Sequence, residues 1–208
     1  MTNVDAILVR LSSQTNLIPS KMSPKTCRYP AVYVVLSCIF MLLSMGGTSA
    51  DAQLTRSELL ADAYPEAEAQ LETIFLTFEQ VTTIAKLSGN PVPSPVIARY
   101  LIIQAGRLIG RAYVDTHVIR TKRESLLISL NHLGQVLRID VTAFLEPREY
   151  QASRTWLDQY NQHALSDDLQ IQRAIRAVTG ATLTARATNQ AVRRVLAIDQ
   201  VLQNDVAP

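Results

Sequence analysis

The chain has 208 residues and a formal net charge of +2, from 20 lysines and arginines against 18 aspartates and glutamates. The excess sits in residues 1–52, where Arg10, Lys21, Lys25 and Arg28 face Asp5 and Asp51. The remainder is electrically balanced, so the footprint of a nucleic-acid-binding protein is missing. Both cysteines, Cys27 and Cys38, lie in the same 52 residues. Residues 53–208 therefore offer no thiol for a disulfide, a Cys-ligated zinc, an iron–sulfur cluster or c-type haem.

Ala31 to Met45 is an apolar run, preceded by Lys21, Lys25 and Arg28 and followed by small residues ending in Ala50-Asp51-Ala52. This is the layout of a secretory signal peptide with an A-x-A cleavage site. The run is shorter than the roughly 20 residues that span a bilayer, which weighs against a retained anchor. Met22 is an alternative start that would shorten the long basic lead-in. The expectation is a cleaved segment 1–52 and a mature domain 53–208, placed in the periplasm or on the outer face of the cytoplasmic membrane.

Within the mature domain, Thr55-Arg56-Ser57-Glu58 fits a capping box that opens a helix through Ala63. Leu71 to Leu76 reads as a short strand. Thr77-Phe78-Glu79-Gln80 is a second capping box, and Phe78, Val81, Ile84 and Ala85 mark one helix face before Gly89 and the prolines at 91, 93 and 95. The period then becomes twofold. Val96–Ile103, Leu108–Ile119, Leu126–Leu130 and Val136–Phe144 read as strands, with turns at Gly106 and Asn131–Gly134. In the last strand Leu137, Ile139, Val141 and Ala143 alternate with Arg138, Asp140 and Thr142, which predicts one buried and one partly wet sheet face. Ser153–Asn161 returns to helix, with Trp156 and Tyr160 on one face. A final helix runs from about Leu183 to Leu202, with Ala191, Val195, Ile198 and Leu202 along one side. Segregated strands and helices predict an α+β domain, an antiparallel sheet flanked by helices.

The chain has no phosphate-loop, dinucleotide-fold, nucleophile-elbow or zinc-protease signature. Asp115 and His117 share a strand face, where a carboxylate can orient an imidazole for proton transfer; the simpler expectation is a polar pair on the wet side. Arg120-Thr121-Lys122-Arg123 is a basic turn that can meet a phosphate or simply face solvent. Trp156 and Tyr160 can stack on a planar ring or fill the core. The informative segment is Thr179-Gly180-Ala181-Thr182-Leu183-Thr184, small residues and hydroxyls directly before an amphipathic helix. Gly180 and Ala181 permit close approach, and the free N–H groups of the helical turn favour an anion beside Thr182. The plain alternative is a helix N-terminus capped by Thr179 or Thr182.

Thr179–Thr184 resembles the [ST]-G-A-T-x-[TS] signature of the FMN-binding domain family. That family includes FMN-carrying subunits of the sodium-translocating NADH:quinone reductase and small exported flavoproteins. The resemblance extends to Gly110–Lys122, Phe144–Tyr150 and Trp156-Leu157. It implies FMN attached through a phosphodiester at Thr182 by a flavin transferase, which uses FAD and Mg²⁺. Thr179, Gly180, Ala181 and Thr184 would complete the site; independently of the resemblance, the basic turn offers Arg120 or Lys122 to the phosphate or ring. Two positions depart from the family pattern: Arg176 stands where Asp is usual, and only Glu146-Pro147 remains of a Glu-Thr-Pro-Gly stretch. The implied function is electron transfer outside the cytoplasmic membrane, with a redox partner such as a membrane electron-transfer complex. Two alternatives stand beside it: an exported accessory or binding module without covalent flavin, and a soluble flavin-dependent reductase.

Overall fold

Thr55 accepts from the Glu58 N–H through its side chain while Glu58 reaches back to the Thr55 N–H, and this reciprocal cap starts helix α1, Arg56–Ala63. The computed structural model describes residues 54–206; the apolar run 31–45 and the expected cleavage site lie outside them. Strand β1 (Glu68–Phe75) follows, then helix α2 (Phe78–Ser88), opened by the capping box of Thr77 and Gln80 and closed by Gly89 at φ 69°. Strands β2 (Val96–Gln104), β3 (Arg107–Val118), β4 (Arg123–Asn131) and β5 (Val136–Phe144) come next. After a 3₁₀ turn at Arg148–Tyr150, the short helix α3 (Arg154–Leu157) passes into a second 3₁₀ turn, Asp158–Tyr160. Helix α4, Thr182–Val206, ends the described chain.

The five strands form one antiparallel sheet in chain order, each paired with its predecessor. This is the expected α+β domain. Tyr113, Leu126, Ile128 and Ile139 project from one face onto Val192, Val195, Leu196 and Ile198 of α4, with Ile84 of α2 in the same core. Trp156 and Tyr160 join that core, their rings edge to face at 5.6 Å, so the aromatic pair is packing rather than a ring-stacking platform. On the opposite face, Leu59 and Leu60 of α1 and Tyr64, which caps its C-terminal end, cover Ile102, Ala112 and Leu127.

The second sheet face is partly wet, as expected: α1 covers part of it, and Asp140 is buried there, bridging Arg138 and Arg154 at 2.7 Å each. Two expectations need correcting. The alternation in β5 breaks at its start. The register shifts between Ser129 and Leu130, whose partners are Arg138 and Val136. Leu137 is the extra residue of this bulge, so Val136 enters the core and Leu137 is exposed. The helix expected over Ser153–Asn161 is a single α turn followed by a 3₁₀ turn.

α4 is also more than an amphipathic helix lying on the sheet, because every residue from Ala191 to Asp199 is buried. Burial of charge is tolerated only with partners, and each charged residue here has them. Arg193 donates to the carbonyls of Leu87, Ser88, Ser166 and Leu169, which closes the C-terminal end of α2. Arg194 grips Asp115. Asp199 accepts from Arg111 at 2.5 and 2.9 Å and from the Tyr113 hydroxyl at 2.8 Å.

Candidate functional site

β3 presents Arg111, Tyr113, Asp115 and His117 at two-residue intervals on the face that meets α4. Their partners on the helix descend as the strand ascends: Asp199 for Arg111 and Tyr113, then Arg194 for Asp115, then Thr188, which reaches His117 only through Glu124 of β4. Strand and helix therefore run antiparallel, locked by a polar seam. At its upper end His117 lies between two carboxylates, Nδ1 at 2.9 Å from Asp115 and Nε2 at 3.0 Å from Glu124. Thr188 donates to the same Glu124 carboxylate. The pair is thus not on a wet face, and all three groups are shielded from water. Burial by itself would lower the His117 pKa. The two carboxylates outweigh that and push it up to about 9, so the imidazole is charged at neutral pH. Burial likewise opposes ionisation of Asp115, but His117 and Arg194 hold its carboxyl below the usual range.

This seam carries the β3–β4 turn to the N-terminal end of α4. There a cleft of about 230 Å³ is lined by Ile119, Arg120, Glu146, Tyr150 and the segment from Gly180 to Thr184. Thr182 is the first residue of α4 and is exposed, as its place before the amphipathic stretch implied. Ala181 occupies the capping position, and its carbonyl accepts the first helical bond, from the Ala185 N–H, at 3.0 Å. The N–H groups of Thr182, Leu183 and Thr184 have no intrahelical acceptor. Among the described residues neither Thr179 nor Thr182 caps this turn, so the plain capping explanation does not hold. Gly180 sits at φ 83°, a conformation that a side chain would strain.

Several candidate residues converge and others do not. Gly180, Ala181, Thr182, Thr184 and Arg120 line the cleft, while Thr179 and Lys122 do not. The Thr184 hydroxyl is already committed, donating to the Tyr150 carbonyl at 2.7 Å. It positions the turn and has no proton left to offer a phosphate. Arg120 lies over the Tyr150 ring at 5.5 Å, which holds the guanidinium at the cleft. Glu146 accepts from the backbone N–H groups of Thr121 and Lys122 at 2.9 and 2.8 Å and so shapes the basic turn. Those bonds hold its carboxyl below the usual range. Composition and spacing gave no sign that Ile119, Tyr150 and Leu183 would supply the apolar surface of the cleft.

An exposed hydroxyl on a helix N-terminus, an adjacent guanidinium and flanking apolar side chains define a module for a phosphate-bearing planar group. FMN fits this donor set, with helix N–H groups and Arg120 for the phosphate and Ile119, Tyr150 and Leu183 for a ring. Residues 123–197 match the model of the FMN-binding domain family, and this match indicates FMN as the cofactor. The match runs from the start of β4 into α4 and contains the whole Thr179–Thr184 segment. No curated protein and no solved structure matches the chain.

Proposed function

We propose that this is an exported flavoprotein that holds FMN covalently through Thr182 and passes electrons outside the cytoplasmic membrane. The observation that carries the reading is the exposed, uncommitted hydroxyl of Thr182 at the start of α4, inside the cleft that Arg120 borders. In maturation, a flavin transferase would direct the Thr182 oxygen onto the FMN phosphorus of FAD. The pyrophosphate bond breaks, AMP leaves, and the hydroxyl proton is released. When bound, the isoalloxazine supplies reversible one- and two-electron transfer.

The chain's own residues supply placement. The phosphodiester charge would sit against the free N–H groups of α4, a dipole contribution of about 0.3–1 kcal/mol. Arg120, steered by Tyr150, would add a charged donor, and Thr184 would keep the turn in register through its bond to Tyr150. Export rests on the signal-peptide pattern of residues 1–52, and the redox partner would be reached on the outer side of the membrane.

Arg176 gives the accessory-module reading its specific support. It is exposed, and its backbone is pinned on both sides, the N–H by Gln159 Oε1 at 2.9 Å and the carbonyl by Trp156 Nε1 at 2.7 Å. The backbone of a basic residue is thereby held where the family resemblance places an acid for the transferase. Co-expression of the full chain with a flavin transferase separates the readings. The flavoprotein reading requires yellow protein whose colour survives denaturation. Protein that stays colourless supports the accessory module.

A further inference from the structure

A second cavity, of about 280 Å³, lies beside the polar seam and away from the Thr182 segment in sequence. The β2–β3 ladder stops at the pair Ala98 and Val114, although β2 begins at Val96 and β3 continues to Val118. The cavity occupies this end of the two strands, with Val92 and Pro93 of the proline-rich loop among its walls. Ile97, Val195 and Ile198 make much of the remaining lining apolar. The exceptions include Asp115 and Arg194, both buried.

Arg194 is only 6% exposed and uses one edge of its guanidinium on Asp115, through Nε at 2.9 Å and Nη2 at 2.8 Å. Nη1, with two N–H groups, has no acceptor among the described residues and is not among the sealed, unpartnered atoms. A buried charged donor on the wall of a cavity with mixed polar and apolar lining calls for an acceptor oxygen. The surrounding charges are already matched, Arg194 with Asp115 and His117 with Glu124. An ionised ligand would therefore add an unpaired charge beside pairs that are already matched, whereas a neutral carbonyl would not.

We propose that this cavity binds a small, neutral, apolar molecule bearing a carbonyl group. The carbonyl oxygen accepts from Arg194 Nη1, and the body packs on Ile97, Val195 and Ile198. Thr116 of this cavity and Ile119 of the flavin cleft are three residues apart in the chain, Ile119 lying just past the end of β3. Binding in this cavity does not depend on flavin.

The test is calorimetric titration of the flavin-free full chain with acetophenone, with ethylbenzene and benzoate as comparators. Acetophenone should bind saturably and at least about tenfold tighter than either, the worth of one hydrogen bond from a charged donor. Arg194→Gln should remove that advantage over ethylbenzene. Val96→Trp, placed at the exposed rim where folding tolerates bulk, should block all binding. Equal affinity for acetophenone and ethylbenzene overturns the role of Arg194. Tighter binding of benzoate overturns the preference for a neutral ligand. Absence of saturable binding, or binding unchanged in Val96→Trp, removes the site altogether.

Discussion

Thr184 and Tyr150 are joined by a hydrogen bond of 2.7 Å from the threonine hydroxyl to the tyrosine carbonyl. Thr182, two residues earlier, is exposed and uncommitted. Two hydroxyls on the same helical turn therefore have different tasks, one holding the turn against the 3₁₀ segment and the other facing the cleft. Thr184→Val should destabilise the fold by about 1–3 kcal/mol, because the Tyr150 carbonyl loses its donor. It should leave the hydroxyl of Thr182 available for modification. Urea unfolding and intact mass, measured on the same variant, check both halves.

The charged state of His117 should set the stability profile on the alkaline side. Its folded pKa of about 9 lies above the ordinary value of 6.5. The imidazolium contribution is thus complete below about pH 6.5 and is lost as pH rises through 9, roughly 3 kcal/mol in all. His117→Gln should flatten urea midpoints between pH 7 and 9.5. The buried tyrosines do not interfere in that window, since burial raises the Tyr113 and Tyr160 pKa values further from an already high starting point. A wild-type midpoint that does not change across the window would show that His117 is neutral when folded.

Arg111 and Asp199 anchor the other end of the seam, both side chains 3% exposed. Asp199→Asn should cost about 3–5 kcal/mol, since the Arg111 charge would remain buried without its counter-ion. The double variant Arg111→Met, Asp199→Leu should recover much of that loss. If the double variant is as unstable as the single one, the pair holds the fold by something other than charge compensation.

Gly110 is required by space rather than by backbone freedom. A Cβ there would lie 2.7 Å from the Leu130 carbonyl oxygen and from the Tyr64 ring. The Tyr64 hydroxyl donates to that same carbonyl at 2.8 Å. Gly110→Ala should therefore displace Tyr64 and loosen α1, at about 1–3 kcal/mol. Hydrogen exchange in α1 should rise more than in α4.

The contrast between what could and could not be read from the residues follows from the range of the interactions. Capping boxes at Thr55 and Thr77, the Gly89 stop and the strands β2 to β5 themselves are local patterns, and the structure reproduces them. The start of α4 at Thr182 is local as well. The seam is not, because Arg194 and Asp115 are 79 positions apart and Arg111 and Asp199 are 88 apart. Alternation placed Asp115 and His117 on one face but could not say that a helix would cover it. The bulge at Leu137 also escaped, since an extra residue leaves the hydrophobic pattern of β5 intact while changing which side chains it buries. At the cleft, Glu146 reaches back 25 residues to the Thr121 amide, a contact with no sequence period to announce it.

The central claim is that Thr182 carries FMN, and peptide mass spectrometry tests it most directly. The full chain is co-expressed with a flavin transferase under conditions that supply FAD and Mg²⁺, then digested, and the peptide spanning Thr179 to Thr184 is weighed and fragmented. The account predicts a mass increase of one FMN phosphodiester located on Thr182. It should be lost in Thr182→Ala, retained in part in Thr182→Ser and kept in Thr179→Ala. An unmodified peptide from wild-type protein, or a flavin located on Thr179 or Thr184, would contradict it.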